Sequence, residues 1–183
     1  MRWECRGELR QMRKHKGFSL IELLIVVAII LIIAAIAIPN LMRARIAANE
    51  SAGASTIRTL NTSEATYSTT YPATGYAANL TALGPNGVDC SVPANVTATS
   101  SCLIDGVLGC GGATCPKGAY GYTIISPTGG TPAPDYLITG ISLTKTAATH
   151  DYCSNTDAVV RSQVTSGSGI ASATACNALP AIQ

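Results

Sequence analysis

Between Phe18 and Ile38 the chain carries 21 consecutive residues that are apolar or small, apart from Ser19 and Glu22. At about 1.5 Å of rise per helical residue this run spans about 30 Å, the hydrocarbon thickness of a bilayer, and predicts one membrane-crossing helix. Beyond it the pattern changes. Leu41, Ile46, Ala47, Gly53, Ile57, Leu60, Glu64, Tyr67 and Tyr71 recur at threes and fours, which predicts an amphipathic continuation with one face available for a core. Pro39 falls at the junction, where a proline removes a backbone hydrogen bond and is expected to bend or locally melt the helix. Tyr71-Pro72 should end it, because the residue before a proline is biased away from helical backbone. The expected element covers residues 18–71, with 18–38 as its membrane-spanning half.

After Pro72 the period shortens and breaks up. Residues 72–118 are rich in Gly, Pro, Ser, Thr and Asn with short apolar pieces, and read as a loop region stapled by cysteines. Residues 120–126, 135–143, 150–153 and 158–163 are β-branched and aromatic, separated by turn-forming runs, and predict four antiparallel strands in a meander over 119–163. One face is expected on the helix and the other in solvent. The Ser/Thr/Ala-rich tail from residue 164 reads as weakly structured, with Cys176 pinning it to the sheet through Cys153. The predicted class is α+β: a long N-terminal helix packed on a small antiparallel β-sheet head covering residues 72–183.

Charge changes the picture at the N-terminus. Arg13, Lys14, His15 and Lys16 flank the apolar run, and basic flanks stay on the cytoplasmic side, so the topology is N-terminus in, C-terminus out. The net +2 of the whole chain hides this basic segment: from Phe18 onward six Lys and Arg face eight carboxylates, a net charge of about −2. No basic stripe with interleaved aromatics remains to suggest nucleic-acid binding. A secretory signal peptide is one alternative, since Ala35-Ile36-Ala37 offers an Ala-x-Ala site, but its apolar region is typically about 7 to 15 residues. A plain signal anchor fits the length and leaves Glu22 unexplained, because an ionisable group costs about 2.5 to 3.5 kcal/mol at the bilayer centre and less near its edge.

The run from Lys16-Gly17-Phe18-Ser19-Leu20-Ile21-Glu22 through Ile30, followed by Pro39, resembles the N-terminus of type IV prepilins and the related type II secretion pseudopilins. The resemblance implies a leader over residues 1–17, cleaved after Gly17 by a prepilin peptidase that then methylates the amino group of Phe18. It implies that Phe18, Glu22 and Pro39 serve assembly, with Glu22 neutralising the Phe18 ammonium of a neighbouring subunit in a homopolymeric filament. Two opposite charges buried together cost far less than either alone. The implied life history is an inner-membrane single-pass subunit, met by the pilus assembly machinery, that ends in an extracellular pilus. The leader is unusual in length: Met12 begins a short, wholly basic version, so Met1 and Met12 are both candidate starts. Outside residues 16–45 the resemblance is one of architecture.

Cysteines supply the remaining constraint. Cys5 lies in the leader, which leaves Cys90, Cys102, Cys110, Cys115, Cys153 and Cys176 on the exported side. An even number in an oxidising compartment reads as disulfides, and nearest-neighbour pairing closes the shortest loops. A zinc site is the rival reading, but Cys110 and Cys115 lack a second close pair or a neighbouring histidine. With one Phe and one Trp in the whole chain, the head must pack Tyr, Ile, Val and Leu, and bridges would make up the shortfall.

Catalytic constellations and cofactor-binding motifs are not found. His150 beside Asp151 has no nucleophile in a recognisable setting. Asp151, Asn155 and Asp157 are a calcium candidate by residue type, set against their ordinary use as turn formers. Tyr67, Tyr71 and Tyr76 read either as a stacked path or as helix-to-sheet packing. Three functions follow: a pilus subunit for adhesion or motility, a pseudopilin of a secretion or DNA-uptake machine, and a signal-anchored domain that never polymerises.

Overall fold

The computed structural model describes residues 17–126, 128–165 and 169–182. The expected leader therefore lies outside the described residues except for Gly17, as do both candidate start methionines and Cys5. Two compact units divide after Leu41.

Helix α1 (Leu20–Thr70) begins in the first unit and runs through Pro39 without leaving helical structure. The expected local melting is thus absent. Proline's ring fixes φ near the helical value, so an otherwise strong helix absorbs the loss of one hydrogen bond. Every large apolar side chain from Leu20 to Ile38 is exposed within the chain.

The second unit is the head. Residues 42–70 of α1 are followed by α2 (Leu80–Leu83), β1 (Cys115–Lys117), β2 (Tyr120–Ile125), β3 (Leu137–Ser142), β4 (His150–Asn155), β5 (Arg161–Val164) and α3 (Ala173–Asn177). The strands form one antiparallel sheet in sequence order. Three of the four expected strands correspond to β2, β3 and β4, and the fourth begins later, at Arg161. The fifth strand, β1, lies in the stretch expected to be loop. Cys115-Pro-Lys117 has no strand signature of its own and forms by hairpin pairing with Tyr120–Tyr122 around Gly118 at φ +63°, and its proline is tolerated because β1 is an edge.

Alternation along the strands assigns the faces. Tyr120, Tyr122, Ile124, Ile138 and Tyr152 pack with Ile57, Leu60 and Tyr67 of α1 in the main core. Gly53 is what lets α1 approach: a Cβ there would lie 2.6 Å from the Tyr120 ring. The opposite face was expected to see solvent, and in its middle, over β3 and β4, it does not. Leu137 and Cys153 are fully buried against Ile170, Cys176 and Leu179. The tail covers them, anchored by Ser172, whose side chain caps α3 by accepting from the Ala175 amide. A polar-looking tail achieves this because a few apolar residues and one bridge suffice to cover two strands.

Candidate assembly site

At the start of α1, Glu22 reaches back to the Ser19 backbone, one half of a capping box. The Ser19 carbonyl accepts the first helical bond from Leu23 N, and Glu22 Oε2 accepts from the Ser19 backbone N–H at 3.0 Å. One of the four orphan amides of the helix N-terminus is thereby satisfied. This local role of Glu22 was overlooked in the sequence, although Ser-x-x-Glu ahead of an apolar run is its signature. It occupies one carboxylate oxygen, and the other has no hydrogen-bond partner among the described residues. Phe18, 86% exposed, precedes the cap directly, and among the described residues nothing lies within 4 Å of where a Cβ on Gly17 would sit. Pro39 is 17 residues beyond Glu22, so it belongs to the helix body and not to this terminal cluster.

An amino group created at Phe18 would sit beside the positive end of the helix macrodipole, an unfavourable place for a cation. A carboxylate in the first turn offsets that field. The same cluster therefore suits a positive terminus only when Glu22, its own or a neighbour's, is close.

In the head, the six cysteines form Cys90–Cys102, Cys110–Cys115 and Cys153–Cys176. The first two tie the segment between α2 and β1, and the third joins β4 to α3. Cys110 and Cys115 are bonded to each other, which removes the thiolates a zinc ion would need.

The calcium candidates do not converge. Asp151 is fully buried, its Oδ1 accepting from Ser142 N at 2.9 Å and Thr165 Oγ1 at 3.1 Å. Asn155 lies four residues along the same extended strand, about 13 Å away at the usual strand rise. Its side chain donates to Asn177 Oδ1 at 2.7 Å and accepts from Asp157 N at 3.2 Å. The Asp157 carboxylate is held by Arg161 at 2.5 Å, an interaction that keeps it below the ordinary carboxylate range. The three are structural, and among the described residues no group of His, Cys, Asp and Glu is arranged to hold a metal ion.

His150 is a clamp between helix and sheet. Glu50 Oε1 accepts from Thr149 N at 2.9 Å, Thr149 Oγ1 at 2.6 Å and His150 Nδ1 at 3.0 Å. Partial burial pushes the Glu50 carboxyl up, and these bonds together hold it below its usual value. Nearer the other end of α1, Asn61 donates to Ser154 Oγ and the Ala158 carbonyl while accepting from Tyr136 Oη. Tyr67 and Tyr71 meet at a tilt of 51° with centroids 5.0 Å apart, but Tyr76 pairs with Tyr136 at 4.8 Å, so the three do not form one path. Glu64, on the apolar stripe, is wholly buried and accepts from Ala77 N at 2.9 Å. Burial raises its carboxyl to about 8.

An exposed apolar helix opening at a Gly-Phe junction, and continuing into a head whose sheet packs on it, defines the pilin-like class. A family model for the prokaryotic N-terminal methylation motif matches residues 12–38. The chain is also 41% identical over 119 residues to the type IV wide pilus major component PilA4 of Thermus thermophilus, which covers 60% of this chain and 88% of the relative. No solved structure gives a significant match. The chain belongs to the type IV pilin family.

Proposed function

We propose that this protein is a structural subunit of a type IV pilus filament used for adhesion or motility. The observation that carries the reading is the apolar surface from Leu20 to Ile38, exposed all around the helix within its own chain. Such a surface requires lipid or other copies of the same helix. In this reading the prepilin peptidase cleaves after Gly17 and methylates Phe18, the helix holds the subunit in the inner membrane with its head outside, and the pilus assembly machinery transfers it into the filament. There the free oxygen of Glu22 faces the Phe18 ammonium of a neighbour. Identity to a pilus major component supports a filament subunit over a secretion pseudopilin.

Electron microscopy of sheared surface filaments, with mass spectrometry of their main band, tests this. The expected main band is this chain beginning at N-methylated Phe18. Filaments lacking the chain, or a chain that keeps residues 1–17 at the surface, contradict the reading.

A further inference from the structure

The two ends of the head differ in surface chemistry. Asn49 Nδ2 donates to the Ala147 carbonyl at 2.7 Å, and Glu50 accepts from the Thr149 amide. These bonds place the β3–β4 loop beside the part of α1 where the chain enters the head, at Met42. Strand register puts the β1–β2 turn and the end of β5 there too, since Tyr120 pairs with Ser142 and His150 with Val164. The far end of the sheet is marked by Ile125, Leu137 and Asn155.

Asp135 and Asp157 belong to the far end, next to Leu137 and Asn155. At the entry end Arg45 and Lys145 are exposed and neither has an ion-pair partner among the described residues. The carboxylates nearby are occupied: Glu50 by Thr149 and His150, Asp105 by Lys117 at 2.5 Å, and Asp151 inside the sheet. Three large apolar side chains, Met42, Leu143 and Val164, are more than half exposed at this same end. A cleft of about 460 Å³ opens there, lined by Arg45, Asn49, Gly118 and Thr146 among others.

We propose that the entry end of the head is a docking surface for anionic phospholipid. Arg45 and Lys145 engage headgroup phosphates, one headgroup seats in the cleft, and Met42, Leu143 and Val164 rest at headgroup depth. Charge complementarity carries the choice of occupant: unpaired guanidinium and ammonium groups without free carboxylates select phosphate oxygens. Cations mixed with exposed apolar side chains are the composition of an interfacial surface. The apolar run ends at Ile38, four residues before Met42, so the tether holds this end next to the bilayer. The inference rests on the reading that residues 18–38 anchor the subunit before assembly.

The test uses the full chain in nanodiscs, one copy per disc, of phosphatidylcholine alone or mixed with phosphatidylglycerol, compared by amide hydrogen exchange. Amides of residues 143–149 and 164–165 should exchange more slowly with phosphatidylglycerol, each cation near an anionic leaflet being worth about a fivefold change in occupancy. Residues 155–159 should not change. The Arg45→Gln/Lys145→Gln variant should enter the discs equally well and lose the difference, as should the wild type at about 1 M salt, where charges are screened within about 3 Å. Equal exchange in both lipids, or protection that the variant retains, overturns the surface alone; a chain that does not enter the discs overturns the anchoring with it. Protection reproduced by free glycerol phosphate in phosphatidylcholine discs makes this an anion site and not a membrane surface. Protection that needs two copies per disc makes the occupant another subunit. Either result overturns the proposal.

Discussion

Glu64 shows how far one side chain can set the conditions under which the head is stable. Its carboxyl is raised from 4.5 to about 8 by burial, opposed by the bond from Ala77 N, and its Oε1 has no partner among the described residues. A carboxyl whose folded value lies above its unfolded one is favoured in its protonated form. Its contribution is complete below pH about 4.5 and is lost as pH rises through about 8, by a few kcal/mol in all. Glu50, Asp105 and Asp157, all held below their usual values, act in the opposite sense and only in acid. Between pH 5 and 8, then, tyrosine near-UV melts should show the wild type losing stability relative to Glu64→Gln. Parallel curves for the two proteins refute the burial argument. Gly53 makes the complementary point about volume. Alanine there gains about 1 kcal/mol of helix propensity, yet its methyl meets the Tyr120 ring, which is fully buried and donates through Oη to the His150 carbonyl at 3.0 Å. Overpacking of that kind costs about 1 to 3 kcal/mol, so Gly53→Ala should lower the urea midpoint; an unchanged or higher midpoint shows that Tyr120 can yield.

Among the elements, the tail depends most on a single link. Cys153→Ala/Cys176→Ala should cost about 2 to 4 kcal/mol and loosen α3 from the back of the sheet. In hydrogen exchange, residues 173–177 and the Leu137 and Cys153 positions should lose protection while β1 and β2 keep theirs. Retained protection at α3 would show that Ile170 and Leu179 hold the tail without the bridge. The same elements show what was legible beforehand. Strands β2, β3 and β4 announce themselves in runs such as Tyr120 to Ile125, because half-buried strands need β-branched and aromatic residues. Strand β1 does not, since its pairing comes from its neighbour. The covered back face was hidden because Leu137 and Cys153 meet a tail whose composition is polar. At the N-terminus, length and hydropathy made α1 plain, and Pro39 does not melt it because a proline's cost is small against 51 residues of helix. The clamp from Glu50 to Thr149 and His150 spans about 100 residues of sequence, and no local pattern points to it.

At the scale of the whole molecule, the proposed function turns on a few N-terminal groups that would separate a lodged subunit from a polymerising one. Glu22→Ala removes both the cap on Ser19 and the partner proposed for a neighbouring Phe18. On the proposed reading Glu22 lies near the bilayer edge before assembly and can be hydrated, so processing and insertion should survive. Losing one member of a buried charge pair costs about 3 to 5 kcal/mol, and filaments should be few or absent. Glu22→Gln keeps an acceptor for the Ser19 amide and loses the charge, separating the two roles. Abundant filaments from both variants, counted by electron microscopy, would leave the carboxylate without an assembly role. Gly17→Ala should instead stop the process one step earlier, leaving an uncleaved membrane-bound precursor by immunoblot. Normal cleavage of that variant would remove the leader assignment.

The three bridges have one property that bears on how the head is made. Each joins a cysteine to the next one along the chain, with separations of 12, 5 and 23 residues, and no two loops overlap. A head delivered across a membrane from its N-terminal side presents Cys90 and Cys102 first, then Cys110 and Cys115, then Cys153 and Cys176. An oxidase that joins each newly arrived thiol to the one waiting reaches the native pattern without a wrong bond to undo. In a head exported that way, order of arrival would do the work of an isomerase.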